Sequence, residues 1–371
     1  MNTTALILPV GIMTFVLVLL LVSACLIPRL TRPELYFAVT VPSAFRDSEE
    51  GRTILGKYRT NVIIFSLVSI AVLLSGLWMP VAGYIAVVSV VSICLQSLGV
   101  YLAYYVARRR VLPHAVAPTT MREAALAPHE VRLPGGWLAQ LGPFGLLLAA
   151  AIWLGAHWEG IPPRFPIHWG IDGRPNGWAT RTFGGVFAPV LIGGILSALM
   201  AALAYSLLRW SRPIRVGGTS GQNEQRFRHL VGSVLVAIEY FLAIEFTWAG
   251  LLPLSAEAAG PPGMVPFLVF SLIFTVGILA LLIRFGQGGT RLPEGAAIPA
   301  KQQASPIGDR TEDRYWKLGL FYFNTDDPAL FVEKRFGIGY TLNFGHAGAW
   351  LFVGALVAIL VLIIILVPKH S

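Results

Sequence analysis

The chain has 371 residues, of which 55% are hydrophobic and 13% charged, with a formal net charge of +9. A soluble domain carries about 25% charged residues, so the composition argues against a water-soluble globular protein. Only two cysteines are present, Cys25 and Cys94, and both fall within apolar stretches, which argues against a disulfide framework and against a thiolate metal site.

Eight long apolar runs follow one another: Leu6–Ile27, Val62–Met79, Tyr84–Ala107, Leu141–Ala156, Val186–Leu208, Leu230–Leu252, Met264–Ile283 and Ala349–Val367. Most reach the roughly 17–25 residues that a helix needs to cross a hydrocarbon core. Lipid offers backbone groups no partners, and the runs lack the alternation of barrel strands, so each predicts a transmembrane helix. The shortest, Leu141–Ala156, begins beside Gly142-Pro143. The first run lacks a basic start, exceeds a signal core in length and meets Pro28-Arg29 instead of small residues, so it reads as a span and not a cleaved leader.

The connecting segments alternate in basic content. All 28 Lys and Arg lie outside the runs: six in 28–60, five in 108–140, five in 209–229, eight in 284–348, and four elsewhere (Arg164, Arg174, Arg181, Lys369). Basic residues are held on the cytoplasmic side, so the four rich segments are expected inside and both termini outside. The positive balance is thus a topology signal, not a nucleic-acid one, and Arg108–Arg110 suit anionic lipid headgroups.

In chain order, "RDSEEGRTILGKYRT" (46–60) predicts an amphipathic surface helix with Ser48 as a possible N-cap, or a solvated connector. The sizeable external loop, Trp158–Gly184, opens with Pro162-Pro163, which stops a helix. Phe165–Trp169 then reads as extended, and Asp172-Gly173 and Pro175-Asn176-Gly177 supply turns. Trp153, Trp158, Trp169 and Trp178 suit the headgroup level. His168 and Asp172, with Trp169 and Trp178, are the candidate ligand-binding residues of this hairpin. The four possible metal ligands His157, Glu159, His168 and Asp172 match no standard spacing, and the favoured reading is that His168 and Asp172 serve turns.

Glu239 and Glu245 are the only acids inside any run. A carboxylate in hydrocarbon is costly and normally faces the bundle or a cavity. Six residues apart, the two sit about 120° around the helix and about 9 Å along it, too far for a tight dyad. They point to a proton or cation relay or polar-ligand contact, or else to acids bonded to a neighbouring helix.

The segment 284–314 reads as a flexible linker. Beyond it, "KLGLFYFN" and "GIGYTLNF" suggest two short strands around "TDDPALFVEKR", with Asn324 or Thr325 capping a turn and Lys334-Arg335 suited either to a phosphate-bearing headgroup or to topological charge. "LYFAVTVPSAF" (35–45) and "LGLFYFNTDDPALF" (318–331) both run aromatic-rich into a proline, as a distant internal repeat would. No catalytic or nucleotide fingerprint appears, and no nucleophile, base and electrostatic partner assemble, so an enzyme is not expected and no cofactor is implied.

"IPPRFPIHWGIDGRPNGW" resembles the loop of the bacterial SdpI-type membrane proteins, in which a span, a Pro-x-His-aromatic loop with Asp/Gly/Pro turns and a second span recur; the likeness covers about 141–208. "YWKLGLFYFNTDDPALFVEKRFGIGYTLNFGHAG" (315–348) is similar to a C-terminal module of unknown function, through Trp316, Gly319, Tyr322, Asn324, Asp327, Pro328, Lys334, Arg335, Gly339 and Asn343. The first resemblance implies a bacterial cytoplasmic-membrane protein related to immunity and signalling proteins, whose founding member protects against an exported toxin and holds a repressor at the membrane. This chain adds spans before the shared loop and a module after it.

The resulting expectation is an all-α polytopic membrane protein with about eight transmembrane helices, a small external loop and a short cytoplasmic β-containing C-terminal module. Its organisation would be an N-terminal membrane region (1–140), the SdpI-like unit (141–208), two further spans (209–284), the linker (285–314), the module (315–348) and a final span (349–371). The function expected is sensing or resistance through the external loop, with membrane lipids, an external peptide toxin or ligand and a cytoplasmic regulator as partners and no direct contact to nucleic acid. The alternative is a transporter or lipid translocator using Glu239 and Glu245.

Overall fold

The computed structural model describes residues 3–78, 82–118, 133–169, 175–212, 218–255, 261–292 and 311–366. Among them are eight helices long and apolar enough to cross a membrane. Helix α1 spans Thr3–Leu30, α2 Glu49–Ser75, α3 Ala82–Val111, α4 Gly136–Ala156, α5 Phe183–Trp210, α6 Gly218–Leu251, α7 Pro261–Phe285 and α8 Ala347–Leu366. Side-chain caps set two of the starts. Ser48 Oγ accepts from the Gly51 amide at 3.1 Å and Thr182 Oγ1 from the Gly185 amide at 3.1 Å, each satisfying a donor that the first helical turn leaves free. Glu49 and Glu50 add negative charge where the helix dipole favours it.

The structure extends two of the sequence expectations. The 46–60 segment is no separate surface helix: from Glu49 it runs unbroken into the second span, because nothing between Ser48 and Val62 breaks a helix. The short fourth run gains a turn at its start, with Pro143 accommodated inside α4. A proline in a membrane helix is tolerated where neighbours satisfy the freed carbonyl.

Two helix groups form. In the first, α2 packs along α3 and α1 lies against both. Gly99 of α3 admits the Phe65 ring so closely that an added Cβ would sit 2.2 Å from it. Side chains also reach across to α1 carbonyls, Tyr58 Oη to Ala24 at 3.0 Å and Gln96 Nε2 to Leu17 at 2.9 Å, the kind of interhelical bond that takes over where apolar burial gives no preference. In the second group α4, α5 and α6 enclose Leu147, Ala150, Leu154, Val186, Val190 and Ala243. Gly142 lies against Tyr240, Gly193 against Phe246 and Leu147, and Gly250 against Val190 and Leu154. These levels show α4 running parallel to α6 and α5 antiparallel to both. Helices α7 and α8 are peripheral; Phe274 of α7 stacks on Phe241 of α6 with ring centroids 4.3 Å apart.

Among the described residues, four two-stranded antiparallel hairpins cap the helices: β1 (Leu35–Tyr36) with β2 (Val39–Thr40), β3 (Arg164–Trp169) with β4 (Pro175–Thr180), β5 (Trp316–Lys317) with β6 (Phe321–Tyr322), and β7 (Phe331–Glu333) with β8 (Tyr340–Leu342). The C-terminal module therefore holds four short strands where the sequence suggested two. "KLGLFYFN" folds back on itself through Leu318 and Gly319, both at positive φ (53° and 75°). The expected linker is packed at both described ends, because Gln287–Gly289 is a buried tight turn and Thr311 is buried beneath Trp316. Its middle, 293–310, lies outside the described residues.

Candidate functional site

Hairpin β3–β4 joins α4 to α5. Its register pairs Phe165 with Ala179, Pro166 with Trp178, His168 with Gly177 and Trp169 with Pro175, leaving Ile167 bulged between the second and third pairs. Phe165 and Ala179 are buried, and with Ile161 they close the end of the α4–α5–α6 core. Arg181 ties the hairpin to the turn that follows α4: its Nη1 donates to the Ile161 carbonyl at 3.2 Å and to Glu159 Oε2 at 3.1 Å. The outward face carries His168, whose Nδ1 lies 2.5 Å from Asn176 Oδ1, and Trp178, with the Arg164 guanidinium 5.1 Å above its ring. Trp169 ends the ladder opposite Pro175. Asp172 lies outside the described residues.

The weak metal candidates do not converge. His157 stacks on Trp153 and bonds its carbonyl at 2.9 Å, Glu159 pairs with Arg181, and His168 sits on the hairpin's outer face. Among the described residues no group of three potential ligands could hold a metal ion.

The opposite end of α5 meets the C-terminal module by backbone. The Leu330 amide donates to the Trp210 carbonyl at 3.0 Å, the Arg212 amide to the Phe331 carbonyl at 3.1 Å, and Ser211 bridges Phe331 in parallel. Arg212 also pairs with Asp327, and its guanidinium covers the Tyr322 ring at 5.5 Å. Burial pushes the Asp327 carboxyl up, but Arg212, the Ala329 amide and the Tyr322 hydroxyl outweigh it and hold the acid below its ordinary value of 3.8. Burial raises the Tyr322 hydroxyl well above the usual phenol range.

Within the module Asn343 is the hub and is fully buried. Its Nδ2 donates to the carbonyls of Asn324 (2.8 Å), Asp327 (3.0 Å) and Ala329 (3.2 Å), while its Oδ1 accepts from the amides of Asn324 and Gly345, both at 3.0 Å. Asn324 Oδ1 in turn accepts from the Asp326 amide at 3.0 Å, the capping turn the sequence suggested. The headgroup reading of the Lys334-Arg335 pair needs correcting. Lys334 is exposed, but Arg335 is sealed: Nη1 meets Asp313 Oδ1 at 2.5 Å, Nη2 meets the Thr311 carbonyl at 2.6 Å, and the guanidinium lies 5.2 Å from the Trp316 ring. A guanidinium so enclosed is committed to protein oxygens and has no face for a phosphate.

The module also grips the first helix group. Thr40 Oγ1 donates to Asp313 Oδ1 at 2.8 Å, Tyr104 Oη to the Leu318 carbonyl at 2.9 Å, and Arg32 pairs with Glu333. Phe336 packs between Phe37 and Tyr104. Arg32 and Arg212 went unnoticed in the sequence, and Arg108 was read as a headgroup contact, because basic residues beside spans already had an explanation as charge at the membrane surface; Asp313 and Gln287 lay in the expected linker.

Glu239 and Glu245 diverge as their spacing required. Glu245 turns toward α7 and accepts from Ser271 Oγ at 3.0 Å. Glu239 is fully buried, and both its carboxylate oxygens are without a hydrogen-bond partner among the described residues. Gln140 on α4 and Ser197 on α5, which sequence reasoning passed over, are buried with side-chain polar atoms in the same condition.

The fold and these sites define a polytopic α-helical membrane protein with one structured hairpin between the fourth and fifth helices and a compact β-containing module before the eighth. Residues 145–193, the hairpin with its flanking helices, match a domain of unknown function (DUF1648), and residues 325–350 match a family of unknown function (DUF5808). No curated protein and no solved structure matches the chain.

Proposed function

We propose that this is a sensing or resistance protein of the bacterial cytoplasmic membrane, in which the β3–β4 hairpin reads an external ligand and the C-terminal module reports it inside. The bias of Lys and Arg toward the module end supports this orientation, with both termini outside. One observation carries the reading: α5 is a single helix of 28 residues, packed against the hairpin at one end and joined by backbone hydrogen bonds to β7 at the other. A ligand with different affinities for two positions of α5 would thereby move the module. The exposed His168 and Asn176, with the half-buried Trp169 and Trp178, offer an aromatic and amide surface suited to a peptide, in keeping with the SdpI-type resemblance.

Transport through Glu239 and Glu245 is the second reading, favoured by the unpartnered carboxylate. Against it stands the shell of Leu147, Leu154, Phe165, Val186, Val190 and Phe246 between Glu239 and the hairpin, which offers a polar substrate no partners.

Hydrogen exchange on the full chain in lipid nanodiscs tests the coupling. Replacing His168 and Asn176 by alanine is expected to raise exchange at the hairpin and also at the amides of Leu330 and Arg212. Faster exchange confined to the hairpin would sink the sensing mechanism.

A further inference from the structure

Gln140 on α4, Ser197 on α5 and Glu239 on α6 are buried with unpartnered polar atoms among the described residues, as are Glu245 Oε2 and Thr247 Oγ1 further along α6, and the first three fall at similar depths. Gly193 marks a common level, since a Cβ there would sit 2.6 Å from Phe246 Cβ and 3.0 Å from Leu147 Cδ2. Seven residues back along α6 is Glu239, and seven back along α4 is Gln140; each is about 10 Å deeper and on nearly the same helix face. Four residues on along antiparallel α5 is Ser197, about 6 Å deeper. The three side chains thus lie within about one helical turn of one another in depth. Each also falls in the buried stripe of its helix: Gln140, Pro143, Leu147, Ala150 and Leu154 on α4, Val190, Gly193 and Ser197 on α5, and Gly232, Val236, Glu239, Ala243 and Gly250 on α6. Glu239 and Ser197 are fully buried and Gln140 is 5% exposed. Both oxygens of Glu239, both polar atoms of Gln140 and the Ser197 hydroxyl are without partners among the described residues.

We propose that Glu239, Gln140 and Ser197 form an intramembrane binding site for one small, hard monovalent cation of the size of Na⁺. Carboxylate, amide and hydroxyl oxygens are the donors that hard cations take. A single carboxylate fixes the charge: a divalent ion would leave an uncompensated positive charge in a low dielectric. A proton on Glu239 gives that acid a single donor and leaves the remaining oxygens to find partners of their own, whereas one cation is a ligand for the carboxylate, the Gln140 Oε1 and the Ser197 Oγ together, with the Gln140 Nε2 donor outside its shell. Buried polar groups are almost always satisfied, and a cluster from three different helices is satisfied most simply by one shared ligand. Glu245 is outside the site, on the α7 side with Ser271. The site does not depend on the sensing reading, and it requires no flux.

The test uses the full chain in nanodiscs, unfolded thermally at constant ionic strength in NaCl, LiCl, KCl or N-methylglucamine chloride. A ligand that binds only the folded state raises the midpoint with its concentration. The midpoint is expected to rise with Na⁺ and less with K⁺, and to be unchanged by the organic cation. Glu239→Gln is expected to abolish the response. Because that variant removes a buried charge, equilibrium binding of ²²Na⁺ to wild type and to Ser197→Ala supplies a second readout, with at least tenfold weaker binding expected in the variant. Equal midpoints in Na⁺ and N-methylglucamine, a Na⁺ response retained by Glu239→Gln, or stability that follows pH alone would each overturn the proposal; the last would mark Glu239 as an ordinary protonated acid.

Discussion

Asn343 shows how much a single side chain can organise. The segment Asn324–Ala329 has no ladder of its own, so its backbone carbonyls at 324, 327 and 329 turn to one amide group for partners. An amide has two donors and two acceptor lone pairs, and no other side chain of this size has both. Alanine at 343 would strand these groups in a buried position. At roughly 1 kcal/mol for each of the five lost bonds, Asn343→Ala is expected to cost about 5 kcal/mol, read as a lowered thermal midpoint with fast exchange at the Asn324 and Gly345 amides. The near-isosteric Asn343→Asp would be no remedy, because a carboxylate has no N–H for the three carbonyls. Arg335 differs in kind. Removing its side chain leaves Asp313 with its buried partner gone, and breaking such a pair costs about 3–5 kcal/mol. Arg335→Met is expected to be milder than Arg335→Ala when combined with Asp313→Asn, since the methylenes keep their contact with Trp316 while no lone charge remains. Thermal melts of the four chains decide it, and equal losses in all of them would place the contribution in packing alone.

Among the elements, the junction of β7 with the end of α5 is the one that should respond to acid. Asp327 is held below its ordinary value in the folded chain, chiefly by Arg212 against the opposing effect of burial. A depressed carboxylate contributes stability that is fully present above its unfolded value and is lost as pH falls through the folded one. The stability advantage of wild type over Asp327→Asn is therefore expected to be constant near neutrality and to shrink once pH drops below 3.8. Melting curves of both proteins from neutral pH down through that value would show this, and a difference that grows on acidification would contradict it. The same scale shows what the sequence could reveal. The eight helices were legible because hydrocarbon thickness and basic flanks leave few alternatives. The β3–β4 hairpin was legible in part: Phe165–Trp169 is extended as the sequence suggested, whereas Pro175-Asn176-Gly177, expected as a turn, opens strand β4, and Asp172-Gly173 lies outside the described residues. The β1–β2 hairpin was not legible, since its turn places Phe37 and Ala38 at positive φ (45° and 61°), where neither residue advertises it. What holds that turn is remote: Arg108 Nη1 donates to the carbonyls of Phe37 at 3.2 Å and Ala38 at 2.8 Å. The β1–β2 and β5–β6 tips each pair two positive-φ residues and meet where Gly319 faces Ala38. Of the candidate sites, Glu239 stood out as an acid in a span, but Gln140 lay one residue before an apolar run and Ser197 gives no signal until its burial is seen.

At the scale of the whole molecule, the C-terminal module is the piece that touches everything. It binds the first helix group through Asp313–Thr40, Glu333–Arg32 and Leu318–Tyr104, and the second through Phe331–Ser211 and Asp327–Arg212. Gln287, just beyond α7, adds Nε2 bonds to the Lys334 and Gly339 carbonyls, both at 3.0 Å. Beside the packing of Phe336 on Phe37 and Tyr104, the contacts to the first group are polar and several are buried, so these are strong only as a complete set: an ion pair that loses one member leaves a charge in a dry place. Helix contacts between the groups are sparse beside those within each group, and lipid can replace apolar helix contacts at little cost. The module should therefore supply most of the cohesion between the halves. If residues 1–124 and 125–371 are produced as separate chains in one cell, they are expected to copurify in mild detergent. Asp313→Ala combined with Glu333→Ala in the longer chain should reduce recovery of the shorter one at least tenfold, while Asp327→Ala, which removes the pair with Arg212 and bonds within the module but no contact to the first group, should leave it nearly unchanged. The contrast between these variants separates a specific clamp from general unfolding of the module. Full copurification of the doubly substituted chain would show instead that the helix groups hold each other directly, and that the module rests on an assembly already complete.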